Sequence, residues 1–536
     1  MSEKICYINI IGAGLAGLTA AKTLAEKGIH VRLFSVQPSE RAQSNLAEGG
    51  INASLNLMGE DDTVLEHFND TMKGGCYLAD PNMVMNLVKE ACDIVMELDR
   101  LGVPFHREDG HIIQRNFGGQ KKKRTSYAKS STGKVLTVAL IDVVRKYEVE
   151  GLVERYSHHQ FERLILSNGK CQGVQILDKF TDKSKVYYGP SIMACGGING
   201  MFLGLTTGTT ANTADAAASL FSQGVEFANL EFIQYHPTTA KITGKRMLIS
   251  EAARGEGGRL FYYQKDSAEG QTKKVYFLED KYGPKGNLMP RDVISREMAT
   301  LENKVYLDLT GLSDETWEAR LSDLREEIIH YLAIDPKVEP VPVSPGIHYF
   351  MGGINIDFYH KTNVDGLFAA GECAAGYHGA NRLGGNSLLG AIFGGKQAAI
   401  SAGEYLKADE KCQCQDGYEV KDFIYMTEKE REIELELERA LADGLGIMRQ
   451  ASSLQQSYDL ISALENKCES EELKNRIIFA KAMLECAINR KESRGAHTRL
   501  DFTETLEEYH KSTIVSLIDD QIKISFREIP ELKKEN

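Results

Sequence analysis

The run Ile5-Cys6-Tyr7-Ile8-Asn9-Ile10-Ile11-Gly12-Ala13-Gly14-Leu15-Ala16-Gly17 decides the fold. A mostly apolar segment leads at once into a Gly-x-Gly-x-x-Gly turn. Residues 15–26 then carry apolar side chains at helical spacing until Gly28 stops them. Ile29 to Phe34 predicts the next strand. The whole is a βαβ unit with its glycines at the turn. Gly12 allows the tight bend, Gly14 lets the backbone approach a pyrophosphate, and Gly17 permits close helix–strand packing. The helix N-terminus offers the positive end of its dipole to the phosphates.

The second strand ends at Phe34-Ser35-Val36, with no Asp or Glu to hold a ribose hydroxyl, which weakens a nicotinamide reading. Later segments turn the expectation toward FAD. Leu367-Phe368-Ala369-Ala370-Gly371-Glu372 reads as a strand delivering a glutamate to the cofactor. Asn386-Ser387-Leu388-Leu389, followed by Gly390 and Gly394-Gly395, reads as a helix start packed against a flavin. Ala194-Cys195-Gly196-Gly197 closes a further strand with a glycine pair.

The expected fold class is α/β: a Rossmann-like FAD-binding domain, interrupted by an α+β capping domain and followed by a helical domain. The divisions are 1–232 with 346–408 for the FAD-binding domain, 233–345 for the cap, 409–510 for the helical domain and 511–536 for a C-terminal segment. The insertion contains Tyr276 to Glu279, Val305 to Leu309 and a charged amphipathic stretch from Glu315 to Leu332. Thr427-x-x-Glu430 predicts a capping box opening a helix to about Ala442, and a second helix spans about Glu471 to Ile488. Their charge runs read as solvated faces or, in part, as a surface for a partner subunit.

At 536 residues, 42% hydrophobic and 26% charged, the chain is an ordinary globular protein large enough for two to four domains. Its net charge of -13 argues against nucleic acid as a partner. No run of about 18 apolar residues is present to span a membrane. Without a signal-peptide pattern ahead of the first strand, the expected location is cytoplasmic. The ten cysteines form no C-x-x-C pair and no cluster spacing, so no metal is expected. Most read as buried small hydrophobes, with Cys412 and Cys414 the exposed pair. Lys121-Lys122-Lys123-Arg124 reads as a solvated basic run.

Four short segments have catalytic character: Gln234-Tyr235-His236-Pro237-Thr238, Pro290-Arg291-Asp292, His348-Tyr349-Phe350-Met351-Gly352-Gly353 and His378-Gly379-Ala380-Asn381-Arg382-Leu383. Cationic donors facing a flavin suit a small dicarboxylate that accepts or gives up hydride. Such chemistry needs two clamped carboxylates, a proton donor opposite the flavin and stabilisation of a developing carbanion. Arginine suits the clamp because its fork meets a carboxylate bidentately. His67, His158, His159 and His360 read as structural. Glu251 and Arg254 stand three apart on one side of a helical turn, so an Arg–Glu–Arg chain with Arg291 would pass protons from solvent; a buried structural ion pair is the alternative.

The chain resembles, along nearly its whole length, the flavoprotein subunit of succinate dehydrogenase and fumarate reductase. Matching segments are Ala47-Glu48-Gly49-Gly50-Ile51-Asn52, residues 231–238, Arg254-Gly255-Glu256-Gly257-Gly258, residues 378–388 and Glu492-Ser493-Arg494-Gly495-Ala496-His497. Residues 116–119 and 124–128 look most like members that work with an iron–sulfur subunit and a cytochrome b anchor. The resemblance implies that His236, Ser250, Glu251, His348 and Arg382 form the dicarboxylate site. Arg291 would be the proton donor, fed through Glu251 and Arg254. FAD would contact Gly12, Ala13, Gly14, Leu15, Ala16, Gly17, Ser35, Gln43, Ser44, Ala47, Glu48, Gly49, Gly50, Asp215, Glu372, Arg382, Ser387 and Leu388. The expected substrates are fumarate and succinate, and the expected placement is cytoplasmic, peripheral to the membrane through partner subunits.

One departure stands out. The family usually attaches FAD through a histidine in a Ser-His-Thr segment; here the aligned residues are Ala42-Gln43-Ser44. Gln43 has no nucleophilic ring nitrogen, so non-covalent FAD is expected. Losing the tether lowers the flavin potential, which favours reducing fumarate. The rival enzyme readings are L-aspartate oxidase and a reductase of another unsaturated acid. Leu383-Gly384-Gly385 favours the reductase branch over the oxidase. A non-catalytic electron-transfer subunit would lack the proton-donating arginine or the clamp, and both are present.

Overall fold

Five parallel strands make the central sheet of the computed structural model, in the spatial order Leu367–Ala369, Ser191–Met193, Tyr7–Ile11, His30–Ser35, Val153–Ser157. The structure describes residues 5–129, 131–265, 272–408, 419–420 and 427–533; Cys412 and Cys414 lie outside these. Ile8, Ile10, Val31 and Leu33 are fully buried, as expected of parallel strands covered on both faces. Helices Leu15–Ala25 and Asn386–Ala408 pack on one another, and Leu15–Ala25 also packs on Thr132–Val149. The glycine turn is needed sterically. Gly12 has φ +112°, and a Cβ there would stand 2.1 Å from the Ala194 carbonyl oxygen. A Cβ on Gly17 would stand 1.8 Å from the Gly12 carbonyl oxygen. The fold class is therefore α/β with a Rossmann-like βαβ start.

An antiparallel sheet in the order Glu419–Val420, Lys183–Tyr188, Lys170–Asp178, His159–Ser167 lies beyond this layer. Between the parallel strands Ser191–Met193 and Leu367–Ala369, the chain builds a six-stranded antiparallel sheet. Its order is Arg246–Leu248, Ile233–Lys241, Val341–Phe350, Val305–Asp308, Arg259–Lys265, Thr272–Val275. Trp317, Leu324 and Ile328 bury against Leu260, Leu307 and Val341 to make its own core. The amphipathic stretch after Leu312 is two helices, Asp314–Arg320 and Ser322–Leu332, broken at buried Leu321 (φ -129°).

Three helices follow, Glu428–Gly444, Ala451–Glu465 and Glu471–Asn489. The first opens with the expected capping box: Glu430 N donates to Thr427 Oγ1 at 3.3 Å, and Thr427 N to Glu430 Oε2 at 3.0 Å. Glu430 Oε1 also accepts from Ser470 N at 2.7 Å, tying this helix to the start of the third. These amide donors hold the Glu430 carboxyl down at about 2.

One feature differs from the sequence reading and another adds to it. Arg124, placed in a solvated basic run, is fully buried between Asp62 and Asp70, at 2.9 Å from each. Two carboxylates supplied by distant segments make that burial tolerable; Lys121 and Lys123 do stay exposed. The C-terminal segment is a hairpin, Lys511–Ile518 with Gln521–Glu528, that pairs with Phe227–Ala228 in a second five-stranded sheet. Asp519 and Asp520 both take left-handed φ (49° and 59°), the two-residue turn that matches strand twist.

Candidate active site

A cavity of about 570 Å³ opens along the carboxyl ends of the parallel strands. That size is typical of a cofactor site, and the crevice beyond the strand ends is where this sheet type binds ligands. Gly12, Ala13, Gly14, Leu15 and Ala16 form its floor, with Ser35, Gln43, Ser44, Ala47, Asp215, Glu372, Ser387 and Leu388 around it. Gly17 is not on this wall; it serves the helix–strand contact described above. Glu48, Gly49, Gly50 and Arg382 also fall outside it and line a smaller pocket instead. Leu15 N donates to Ser44 Oγ at 3.1 Å, pinning the glycine turn to the 43–46 segment. The Ser35 hydroxyl is buried at the end of its strand without a hydrogen-bond partner. A turn of small residues at a helix start, beside an orphaned hydroxyl at the second strand's end, fits a dinucleotide. Burial raises the Glu372 carboxyl to about 7, against the Phe350 amide and Arg382, so it is partly protonated at neutral pH and able to donate.

The smaller pocket, about 30 Å³, joins the larger through Ala47, His348, Ser387 and Leu388. It collects His236, Ser250, Glu251, Arg291, His348 and Arg382 from widely separated segments. His236 comes from strand Ile233–Lys241 and His348 from its antiparallel neighbour Val341–Phe350; their ring centroids lie 5.2 Å apart. Ser250 caps the short helix Glu251–Gly255, and Arg291 starts the helix Arg291–Ala299. Arg254 stands just behind, fully buried on the same short helix.

The charges form one chain. Arg291 Nε donates to Glu251 Oε2 at 2.8 Å, and Glu251 Oε1 accepts the Gly118 amide at 2.7 Å. Arg254 Nη2 is 3.8 Å from Glu251 Oε1, and Arg254 Nη1 donates to the Asn287 carbonyl at 2.6 Å. Burial alone would raise the Glu251 carboxyl, but Arg291 and Arg254 outweigh it and hold it below its usual range. Burial lowers the guanidinium of Arg382 to about 9, with Arg291 adding repulsion. Its plane lies 4.4 Å from the centroid of the Tyr349 ring, a cation–π seat, and its Nε has no hydrogen-bond partner. Arg291 is thus buried in an ion pair with Glu251, not exposed beside Asp292, which instead accepts from Asn381 Nδ2 at 2.9 Å.

Burial, reinforced by the nearby arginines, drives both His236 and His348 well below the ordinary histidine value, so both rings are neutral. His236 Nδ1 sits 3.2 Å from the Thr238 carbonyl, which only accepts; that nitrogen therefore carries the proton and Nε2 presents a lone pair. His348 Nδ1 is 2.9 Å from the Thr207 hydroxyl, which allows either tautomer.

One functional residue escaped the sequence reading. Gln234, fully buried, accepts through Oε1 from both Arg291 Nη1 and Arg382 Nη2, each at 3.1 Å. Its Nε2 donates to Asn381 Oδ1 at 2.7 Å and to the Arg382 carbonyl at 2.8 Å. Gln234 therefore bridges the two arginines through one shared acceptor oxygen. The available signal was strand alternation, since residues two apart share a face and His236 was already singled out.

Residues 8–388 match the FAD binding domain family, and residues 467–533 match the fumarate reductase flavoprotein C-terminal family. The succinate dehydrogenase flavoprotein subunit of Bacillus subtilis (strain 168) is 35% identical, over 95% of this chain and 93% of that protein. The fumarate reductase flavoprotein subunit of Mycobacterium tuberculosis (strain ATCC 25618 / H37Rv) is 32% identical, over 94% of this chain and 93% of that protein. The FrdA chain of E. coli quinol fumarate reductase superposes with a TM-score of 0.85 at 27% identity, covering 99% of this chain and 97% of that one. Identity sustained end to end, over a cradle shaped for a dinucleotide, leads to one conclusion: this chain belongs to the succinate dehydrogenase and fumarate reductase flavoprotein family and is an FAD-dependent oxidoreductase.

Proposed function

We propose that the enzyme reduces fumarate to succinate, with succinate oxidation as the reverse, and that it binds FAD without a covalent bond. The observation that carries this reading is the buried Arg291–Glu251–Arg254 chain beside a pocket of neutral histidines and a partly unpaired Arg382. Bound FAD supplies hydride. His236, Ser250, His348 and Arg382 hold the two carboxylates, and the free Nε edge of Arg382 serves one of them. Gln234 bridges the two guanidiniums and fixes their orientations, leaving Arg291 for the substrate carbon and Arg382 for a carboxylate. Arg291 gives its proton and recovers one through Glu251, whose depressed carboxyl pairs well with a guanidinium on either side. Arg254 continues that chain beyond Glu251 and is itself held by the Asn287 carbonyl.

Gln43 supports the direction and the missing tether. It lines the flavin cavity where the family places its attaching histidine, and its Oε1 accepts the Thr209 amide at 2.6 Å. An amide held this way orients its NH₂ but forms no bond to carbon. Electrons would reach the flavin from an iron–sulfur subunit, itself on a membrane cytochrome b anchor at the cytoplasmic face. The relatives' description as subunits supports an assembly of this kind. No helix among the described residues is long and apolar enough to cross a membrane.

The test is anaerobic reoxidation of a reduced viologen by the FAD-loaded chain on adding fumarate. Arg291→Ala is expected to lower turnover about 10²- to 10⁴-fold, the range for losing a general acid, with FAD retained. An Arg291→Ala enzyme that reduces fumarate at the parent rate would remove Arg291 from the proposed role.

A further inference from the structure

Residues of the helical region form part of the wall of the flavin cavity. Arg431, Glu434, Glu472 and Arg476 line it together with Asp215, although the first four come from helices Glu428–Gly444 and Glu471–Asn489. Arg476 is almost completely buried. Its Nε lies 3.1 Å from Asp215 Oδ1, and its Nη1 donates to Glu434. One guanidinium therefore ties together three elements: the helix Asp215–Ser222 and these two helices of the helical region. Asp215 is presented at its helix start by Ala214, which holds a left-handed φ of +71°, and it also accepts from the Thr213 hydroxyl. A non-glycine residue in that conformation is strained and is held there only when its surroundings demand it. Phe479, three residues beyond Arg476, packs edge-on against Phe221 and Phe227 with centroids 5.8 and 5.1 Å away, so the charged contact sits beside a buried aromatic cluster.

We propose that these two helices are a clasp over the flavin cavity and that Arg476 is the positioning residue that holds it shut, retaining a cofactor that lacks a covalent tether. This rests on the non-covalent reading above. Entry and exit of FAD would require the Arg476 contacts to open.

The clasp carries an imbalance of charge. Asp215, Glu434, Glu438 and Glu472 surround Arg476, with Arg431 a further cation on the helix that carries Glu434, and Lys179 and Asp182 also on the cavity wall. Burial, then Asp215, raises the Glu472 carboxyl to about 8, and burial, then Glu434, raises Glu438 to about 7. Both carboxyls bind protons more tightly with the clasp shut than in the ordinary carboxylate range they regain when it opens. The closed form is therefore strongest at acid pH. It weakens as pH rises and levels off above about 8, as Glu472 gives up its proton.

The experiment follows flavin fluorescence as FAD leaves the loaded protein into an excess of a flavin trap, at a series of pH values. Denaturation comes first. FAD that stays on the unfolded chain would overturn the non-covalent reading and the clasp with it. If FAD is released, Arg476→Ala is expected to lose it about tenfold faster or more than the parent, the scale of one desolvated charge pair, with Arg476→Lys in between. Glu472→Gln is expected to flatten the rise in release between about pH 6 and pH 8. Parent-like release from Arg476→Ala overturns the clasp alone. Should that variant not fold, an unchanged pH profile in Glu472→Gln overturns it instead.

Discussion

The two halves of the site are built on opposite principles. The flavin cavity is large, and the part of it formed by the glycine turn and the strand ends presents backbone and small side chains from short stretches of sequence. The pocket proposed for the dicarboxylate is small and has long charged side chains in and behind its wall, with Glu251, Arg254, Arg291 and Arg382 all buried. A dinucleotide offers many weak contacts along its length, which main-chain amides and a helix dipole can meet. A small dianion needs few, strong and oriented donors, and these keep their orientation only when locked by partners such as Gln234. Substitutions in the two halves should accordingly separate cofactor loading from turnover.

The sharpest separation is expected from Arg382→Lys. A point charge replaces a fork seated on Tyr349, so fumarate kcat/KM should fall roughly 10²- to 10³-fold while flavin content stays at the parent level. Absorbance of bound flavin measured alongside steady-state kinetics checks it; loss of flavin from this variant would erase the distinction between the halves. Smaller, and on the other side, Gly17→Ala drives a Cβ to 1.8 Å from the Gly12 carbonyl oxygen. It should cost about 1–3 kcal/mol of stability and reduce FAD loading. Gly14→Ala is tight against the Ser44 hydroxyl, at 3.2 Å, with Ala42 Cβ at an ordinary 3.8 Å, and is expected to be milder. Thermal melts of the two variants, with and without added FAD, decide whether the turn is as unforgiving as its geometry implies.

The smallest effect concerns protons. His236 is neutral in the free enzyme and turns a lone pair toward the pocket, so donating to a bound carboxylate requires it to take up a proton. The dianion would supply the attraction. Between the depressed value of free His236 and the raised value in the complex, affinity is lost as pH rises, by up to about tenfold per pH unit. Binding calorimetry with a dicarboxylate inhibitor in two buffers of different ionisation enthalpy counts that proton. An uptake of zero would return the donor role to His348 alone.

Much of this was legible before folding. The glycine turn, the strand and helix around it, the capping box at Thr427 and Glu430, and the segments holding His236, Arg291, His348 and Arg382 announce themselves through local periodicity and spacing. Arg124 shows the limit. A basic run reads as a solvated face unless Asp62 and Asp70 are known to close around it, and nothing near Arg124 in the chain says so. The C-terminal hairpin is similar, because its partner strand lies far upstream, with Phe227 facing Val515 and Ala228 facing Ile514.

The amino-acid sequence by itself determined the α/β class, the dinucleotide turn, the family and the residue types that could clamp a dicarboxylate. These follow from steric rules and from chemistry that only certain side chains can do. Tertiary structure alone decided which charges meet. Gln234 lies between Arg291 and Arg382, Glu251 takes Arg291 from Asp292, and Arg476 joins Asp215 to Glu434. The reason is that a buried charge must find its counter-charge wherever the packed chain places it, and sequence distance carries no information about that.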